Sequence, residues 1–506
     1  MDRYLLAHDL GTSGNKATLY SEQGKLLRST VYSYDTVYGK GNRAEQNADD
    51  WWKAICESTK ELLQGLDSSL VASVSFSGQM MGCLCVDKEG RPLRSSIIWA
   101  DQRAVAQTGR ITEKIDPQRF YRITGHRPSP SYTIAKLLWI KENQPEIYRD
   151  TYKVLNAKDY IVFQLTGKFY TDYTDGSGTN MMDLTKLCWS KEIIHAMEIE
   201  ENKLPELRES TFVAGGVTAQ AATATGLKEG TPVVLGGGDG ACAAVGAGCI
   251  GEGTAYNVLG SSSWIGISTR EPIFDEEMRT FTFAHIVPGY YQPMGTMQTA
   301  GLSYNWLKNE ICTEEVLRAK ELGISPYRLI DEQVANSPAG AKGLLFLPYL
   351  LGERSPRWNP NARGAFIGLT MEHKREDMLR SVLEGVALNL NVTLQAFQKY
   401  CTIDEMVLIG GGAKGEVWQQ ILCDVFGVKI ARPVYLEEAT SMGAAITGGV
   451  GAGVFKSFDV VYSFNATQST KLPSPKNHEL YKQLMPIFNH CYDGLVGVFD
   501  QLAALK

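Results

Sequence analysis

Two glycine-rich turns that each carry an aspartate are the parts of this sequence best suited to chemistry. The first, residues 9–16, begins with Asp9, two positions after an apolar run at residues 4–7, and the second ends Gly-Gly-Gly-Asp at Asp239. Glycine allows successive N–H groups to converge on an anion, and a carboxylate at a strand end lies where α/β sheets bind ligands. The pattern indicates a site for a metal and a phosphate, although the first turn alone is equally compatible with ordinary turn chemistry.

Two further glycine-rich turns occur in the second half of the chain. Residues 259–263, Leu-Gly-Ser-Ser-Ser, follow a strand-like run that contains Asn257 and repeat the opening pattern of a strand, Leu-Gly and hydroxyl groups. Residues 410–415 offer bare backbone that could contact a flat ring or a ribose, which alone is only a weak signal of nucleotide binding. The repeat indicates two related halves that meet near residue 250.

The composition limits the classes of function. A chain of 506 residues is too long for one core, so we expect two domains, residues 1–248 and 249–506. The net charge of -6 and the absence of a basic block argue against nucleic acid and anionic membranes as partners. The 10 cysteines lack metal-ligand spacing and we find no leader or long apolar run, so we expect a cytoplasmic protein.

The elements that must position these turns are an alternation of strands and helices. Residues 4–32 read as strand, turn and strand, residues 71–76 and 405–409 as buried strands, and residues 49–66 and 377–397 as amphipathic helices. Residues 171–179 contain so many turn-forming residues that we expect no regular element there. The pattern therefore predicts a mixed α/β protein.

Several segments together resemble the FGGY family of carbohydrate kinases over nearly the whole chain. Residues 131–140, and residues 364–369 followed by 377–384, resemble its two signatures, while five short motifs are most similar to its xylulokinase branch: residues 78–80, 99–103, 177–179, 236–239 and 348–354. The resemblance implies two actin-like, RNase H-like α/β domains with a cleft between them. It also implies transfer of the γ-phosphoryl group of ATP to a sugar hydroxyl group with the help of Mg²⁺.

The resemblance assigns roles to individual residues. Asp239 would accept the proton of the sugar hydroxyl, and Asp9 would hold Mg²⁺ through water. The sugar would contact Gln79, Met80, Met81, Asp101, Asp239 and Gly240. The phosphates would lie against Thr12, Ser13, Gly260, Ser261 and Ser262, and the adenosine against Gly411, Gly412 and Ala413. For Asp101 a plain structural interpretation, a helix-start carboxylate next to the cation of Arg103, is favoured by the local sequence alone.

Two departures from the xylulokinase pattern concern the sugar. Met81 stands where many xylulokinases have His, and Gly240 where they have Asn. Both changes remove side-chain hydrogen bonds to the sugar, so kinase activity is a firmer expectation than D-xylulose as substrate. A ketopentose remains the leading substrate. The alternatives are another polyol, ketose or sugar acid such as gluconate, or a non-catalytic sugar-binding regulator. The sequence leaves open whether two copies of the chain form a homodimer.

Overall fold

The computed structural model describes residues 3–505, which form two halves built around one large sheet each. The strands of the first half are β1 (Tyr4–Leu10), β2 (Gly14–Ser21), β3 (Leu26–Ser33), β4 (Val37–Gly39), β5 (Arg43–Gln46), β6 (Val71–Gly78), β7 (Leu84–Val86), β8 (Ser96–Ile97), β9 (Lys153–Leu155), β10 (Tyr170–Asp172), β11 (Met182–Asp183), β12 (Cys188–Trp189), β13 (Glu206–Arg208), β14 (Val213–Gly216), β15 (Pro232–Val234) and β16 (Gly237–Gly238). Its helices are α1 (Ala48–Leu63), α2 (Val105–Lys114), α3 (Pro117–Thr124), α4 (Thr133–Asn143), α5 (Pro145–Asp150), α6 (Ala157–Thr166), α7 (Tyr173–Ser177), α8 (Lys191–Ala196), α9 (Ala219–Thr225) and α10 (Asp239–Gly246).

The second half is organised around a second large sheet. Its strands are β17 (Ala255–Leu259), β18 (Ser263–Ile267), β19 (Phe281–Ala284), β20 (Tyr291–Met297), β21 (Leu345–Leu347), β22 (Ala365–Ile367), β23 (Glu405–Ile409), β24 (Lys429–Pro433) and β25 (Thr467–Lys471). Its helices are α11 (Gly301–Trp306), α12 (Thr313–Leu322), α13 (Pro326–Asn336), α14 (Arg375–Gln398), α15 (Glu416–Phe426), α16 (Ala439–Gly451), α17 (Val461–Phe464) and α18 (Pro475–Ala504). In the part of the chain described, no helix has the length and apolar character needed to cross a bilayer.

The two large sheets share one strand order. The first runs β14-β15-β6-β1-β2-β3, and the second runs β25-β24-β23-β17-β18-β20 with β19 added at its edge. In each sheet the first strand pairs antiparallel with the second and parallel with a strand that arrives after a long connection. The duplication predicted from residues 9–14 and 259–263 is therefore present in the topology. The division between residues 248 and 249 stays a prediction.

Two helices rich in small residues lie between the sheets. Ala241, Cys242 and Val245 of α10 pack with residues of β1 and α16, while Ala243 and Ala244 pack with residues of β17 and β23. Helix α16 belongs to the second half of the chain, yet it packs against β1 and β6 of the first sheet. The helices therefore connect the halves.

The α10 and α16 backbones touch where they cross. A Cβ atom added to Gly443 would lie 1.9 Å from the carbonyl oxygen of Cys242, and one added to Gly246 would lie 1.8 Å from that of Ala439. No side chain can occupy these spaces unless the helices separate. This contact fixes the separation of the two sheets.

Residues 171–179 differ from the sequence-based expectation. They contain β10 and the short helix α7, whose N-cap Asp172 accepts hydrogen bonds from the backbone N–H groups of Thr174 and Asp175. The side chains that suggested an irregular loop are used to start a helix, because an aspartate at an N-cap satisfies free N–H groups.

We predict that Gly443→Ala lowers the free energy of unfolding by about 1–3 kcal/mol, because the new methyl group overlaps backbone that must move. Gly494→Ala in α18 is the matched control, since nothing lies within 4 Å of a Cβ at that position. Replacing this exposed helical glycine should stabilise the protein by about 0.5–1 kcal/mol. Urea denaturation of both variants measures the difference, and equal effects would contradict the close helix contact.

Candidate active site

Adjacent parallel strands bring Asp9 and Asp239 to the same edge of the first sheet. Asp9 pairs in register with Ser77 of β6, and Gly238 pairs with Gly78 at the end of that strand. Since Asp239 is the first residue of α10, its carboxylate follows directly from the end of β16. The two aspartates singled out from the sequence therefore belong to one site.

The surroundings of Asp239 suit a group that exchanges a proton near neutral pH. Burial raises the pKa of Asp239 to about 7, and the negative charge of Asp9 acts in the same direction. The backbone N–H of Gly240 donates to Asp239 Oδ1 over 2.7 Å, which partly opposes that rise. A carboxylate with such a pKa can accept a proton from a bound hydroxyl group.

Asp9 has a different environment. Its Oδ1 accepts a 2.7 Å hydrogen bond from the Ser77 hydroxyl group. Burial raises the pKa of Asp9, although Ser77 and the charge of Lys16 both lower it. A nearby cation would favour the charged carboxylate further.

A cavity of about 180 Å³ opens at Asp239. Most of its wall is aromatic or apolar, and a few polar groups face into it, which is the usual construction of a site for a small ligand. The lining residues are Met80, Met81, Trp99, Ser129, Ser131, Tyr132, Asp239, Gly240, Ala241, Ser262, Trp264, Phe281, Phe283, Gln292, Met294, Thr296, Arg354 and Trp358.

A larger cavity of about 1220 Å³ lies in the second half of the chain. Gly260 and Ser261 from the β17–β18 turn line it, as do Gly411 and Gly412 from the turn after β23. Ser262, the next residue of the β17–β18 turn, lines the smaller cavity instead. This turn therefore contributes to both cavities and lies at the border between them.

The predicted site residues fall into two groups. Nine of them line a cavity: Met80, Met81, Asp239, Gly240 and Ser262 the smaller one, and Gly260, Ser261, Gly411 and Gly412 the larger one. The remaining six, Asp9, Thr12, Ser13, Gln79, Asp101 and Ala413, are not among the residues that line either cavity.

Within the second group, Asp101 and Gln79 hold neighbouring parts of the chain in place. The Asp101 carboxylate forms a bidentate ion pair with Arg103 and accepts a hydrogen bond from the N–H of Ala44. Gln79 donates to Gln46, which in turn donates to the carbonyl oxygen of Thr12. Ser13 is exposed and Ala413 is buried.

Met81 adopts a strained backbone conformation at the cavity wall. Its φ angle is 64°, in a backbone region that residues other than glycine rarely occupy. The ammonium group of Lys136, which is completely buried, donates to the Met81 carbonyl oxygen over 2.7 Å. Burial lowers the pKa of Lys136 to about 7. The lysine thus positions Met81 without lining the cavity itself.

A buried charge cluster supports the end of β16. Lys158 Nζ lies 2.9 Å from Asp159, 2.8 Å from Asp172 and 3.1 Å from Asp175, and all four side chains are inaccessible to solvent. Burial raises the pKa of Asp175 well above its ordinary value, while the positive charge of Lys158 acts against that rise.

The cluster connects to Asp239 through one hydroxyl group. Thr174 Oγ1 donates to Asp172 Oδ2 over 2.6 Å and accepts a 2.8 Å hydrogen bond from the N–H of Gly238. Gly238 is the residue before Asp239, so Thr174 is a positioning residue for that carboxylate. Sequence analysis gave no role to this contact.

Several cavity residues were also not predicted. Phe281, Phe283, Gln292 and Met294 come from β19 and β20 and reach the cavity at alternate positions of each strand. This period of two was a usable signal for strands, but nothing in it located the cavity. Arg354 lay within a motif used for the family resemblance, yet it received no role.

Comparison with known proteins places this geometry in a family. The FGGY family of carbohydrate kinases matches through its N-terminal domain at residues 4–246 and its C-terminal domain at residues 255–452. The chain belongs to this family. The chain of this FGGY kinase is 32% identical to a gluconokinase of Bacillus licheniformis, with 99% of this chain and 98% of that protein aligned. It is also 32% identical to a xylulose kinase of Bacillus subtilis, with 97% of each aligned.

Solved structures give the same result for the fold. A gluconate kinase and a ligand-bound xylulose kinase, both from Lactobacillus acidophilus, each superpose with a TM-score of 0.92 at 27% identity and cover 99% of this chain and 100% of theirs. The prediction of a two-domain, actin-like sugar kinase fold is therefore confirmed. This FGGY kinase is a sugar kinase, and kinases of this family use ATP.

The residues at the sheet edge fit Mg²⁺, which these kinases generally use. Among residues 3–505, no group of three or more His, Cys, Asp or Glu side chains is arranged to hold a metal. Mg²⁺ needs no such cluster, because it keeps part of its water shell and binds one or two carboxylates together with phosphate oxygens. Asp9, whose half-buried carboxylate accepts a hydrogen bond from the Ser77 hydroxyl group, would suit this role. The ion would supply charge neutralisation at the phosphates.

We predict that Thr174→Val lowers kcat about 10- to 100-fold, because the Gly238 N–H loses its acceptor and Asp239 shifts. The KM for ATP should change little, since Thr174 is not among the residues that line the larger cavity. Steady-state kinetics with Thr174→Ser as the control should show near-normal kcat, because serine keeps the hydroxyl group. A similar loss in both variants would contradict the positioning role.

Proposed function

We propose that this kinase transfers the γ-phosphoryl group of ATP to a hydroxyl group of an open-chain sugar, with Asp239 as the general base. The observation that carries the proposal is the position of Asp239, at the start of α10 and in the wall of the smaller cavity. The sugar hydroxyl would bind there, and the raised pKa of Asp239 matches the task of accepting its proton.

The larger cavity suits ATP. Adenosine would lie against the backbone of Gly411 and Gly412, and the phosphates would extend along Gly260 and Ser261 towards Ser262. The β17–β18 turn would then present the γ-phosphoryl group to the smaller cavity. In such a reaction the protein mainly orients the groups and neutralises charge. Thr12 would approach the phosphates from the first half of the chain.

The substrate we propose is a five- or six-carbon open-chain sugar, with a ketopentose such as D-xylulose as the leading candidate. Support for this class comes from the relatives, which include both xylulose kinases and gluconokinases. Gluconate is thus the second candidate. Met81 and Gly240 line the cavity, so their departure from the xylulokinase pattern bears directly on the choice.

We predict that Asp239→Asn lowers sugar-dependent ADP release by about 10²- to 10⁴-fold and leaves ATP binding nearly unchanged, because the amide cannot accept the hydroxyl proton. The assay is run over ketopentoses, polyols and aldonates. Asp493→Asn, a substitution at an exposed position in α18, is the matched control. Near-normal turnover of Asp239→Asn would disprove the role of the base. No sugar-dependent turnover in the native protein would favour a non-catalytic regulator.

The pH dependence should follow the ionisation of Asp239. Because a general base must be ionised, kcat/KM for the sugar at saturating ATP should rise with pH up to a plateau above about 7. Below the pKa of Asp239 it should fall by about tenfold per pH unit. A profile of kcat/KM from pH 5 to pH 9 tests this expectation, and a rate that stays constant below pH 6 would contradict it.

A further inference from the structure

The smaller cavity contains one side chain with a permanent charge, Arg354, which follows β21. Its Nε is buried and has no hydrogen-bond partner among residues 3–505. Burial lowers the pKa of Arg354, while the negative charge of Glu353 raises it. A guanidinium group that the protein leaves without a partner in a ligand cavity is available to the ligand.

The negative charge of Glu353 favours the charged form of Arg354, but the carboxylate makes its hydrogen bonds to groups other than the guanidinium group. Glu353 Oε1 accepts hydrogen bonds from the backbone N–H groups of Gln298, over 2.6 Å, and of Arg354, over 2.9 Å. Glu353 Oε2 accepts from Asn389 Nδ2 over 2.8 Å. The carboxylate is thus occupied by other donors. The ring of Trp99, whose centroid is 5.9 Å from Arg354 Cζ, gives weak support to the charge.

A second polar group of the cavity also lacks a partner. The Nε2 of Gln292 donates to the carbonyl oxygen of Gly240 and to the hydroxyl of Tyr256, while its Oε1 is buried without a hydrogen bond in the described chain. The cavity therefore offers a donor-only group at Arg354 and a free acceptor at Gln292. A ligand that satisfies both must carry an acceptor oxygen and a hydroxyl group.

Resting on the proposed function, we propose that Arg354 determines specificity by binding a carbonyl or carboxylate oxygen of the open-chain substrate, while Asp239 receives the proton of the hydroxyl to be phosphorylated. The planar fork of arginine matches the in-plane lone pairs of such an oxygen, and it matches a carboxylate with two parallel bonds. A hydroxyl oxygen also accepts hydrogen bonds, but its lone pairs lie in no fixed plane. The keto group of a ketose and the carboxylate of a sugar acid share this chemistry.

The proposal separates substrates that have the same carbon chain. Xylitol, D-xylulose and D-xylonate each have five carbons, and they differ in carrying only hydroxyl groups, a keto group or a carboxylate. A site that uses Arg354 in this way discriminates against xylitol, because xylitol offers the guanidinium group only hydroxyl oxygens and no planar keto or carboxylate oxygen. The native protein should therefore act on D-xylulose or D-xylonate in preference to xylitol.

The test compares Arg354→Gln and Arg354→Lys with the native protein on these three compounds. Arg354→Gln should lower kcat/KM about 10- to 100-fold for the preferred keto or acid substrate and less than about threefold for xylitol, with the KM for ATP unchanged. If Arg354 binds a carboxylate oxygen, Arg354→Lys should recover part of the activity on D-xylonate. If it binds a keto oxygen, Arg354→Lys should recover little of the activity on D-xylulose. Arg270→Gln removes an exposed arginine and is the matched control, with no expected change.

A binding measurement separates failure of this inference from failure of the proposed function. Trp99, Trp264 and Trp358 line the cavity, so ligand binding should change the tryptophan fluorescence without any turnover. If the native protein phosphorylates none of the three compounds, the proposed function is wrong for this series, and the Arg354 inference is judged by fluorescence titration. Weaker binding of the keto or acid compound to Arg354→Gln, with xylitol unaffected, would support it. An equal loss for all three compounds, or no loss, would overturn it.

Discussion

The contact between the α10 and α16 backbones is the constraint on which the site depends. Because Gly443 and the carbonyl of Cys242 leave no room for a side chain, the two helices have one separation, and the sheets packed on them are held at a fixed distance. Asp239 begins α10, so the same contact fixes the carboxylate relative to the β17–β18 turn. Lys16 of β2 adds a second connection, since its ammonium group contacts Glu438 just before α16.

Much of the architecture could be predicted because it follows from local sequence patterns, namely the spacing of apolar residues and the positions of glycine-rich turns. The amphipathic run at residues 377–397 corresponds to α14, Arg375–Gln398, and the strand at residues 405–409 to β23. The glycine-rich turns chosen from the sequence contribute residues to the walls of the two cavities. The prediction that residues 171–179 contain no regular element was wrong, because the turn-forming side chains there build an N-cap and a short helix. The roles of Thr174 and Arg354 depend on partners far away in the chain, which no local spacing reveals.

Three cationic side chains in or behind the site differ in how they are paired. Within residues 3–505, Lys158 meets three carboxylates, Lys136 has carbonyl partners and no carboxylate, and the Nε of Arg354 has no hydrogen-bond partner. Burying such groups costs free energy, and proteins accept that cost where a fixed polar environment is needed. Here the first two hold Asp239 and Met81 in place, whereas Arg354 keeps its binding capacity for a ligand.

The shared strand order of the two sheets has one consequence for how the molecule works. In the alignment of the Leu-Gly turns, the position of Asp9 corresponds to Val258, so the two copies share a strand order but only one of them has the acid at this position. Two identical copies would hold the two sides of a ligand in the same way. The loss of that pseudo-twofold symmetry gives the cleft a polarity, with an electrically distinct side for each reactant. The divergence of single residues has thus made the two related halves unequal, so that the phosphoryl group is transferred in one direction between them.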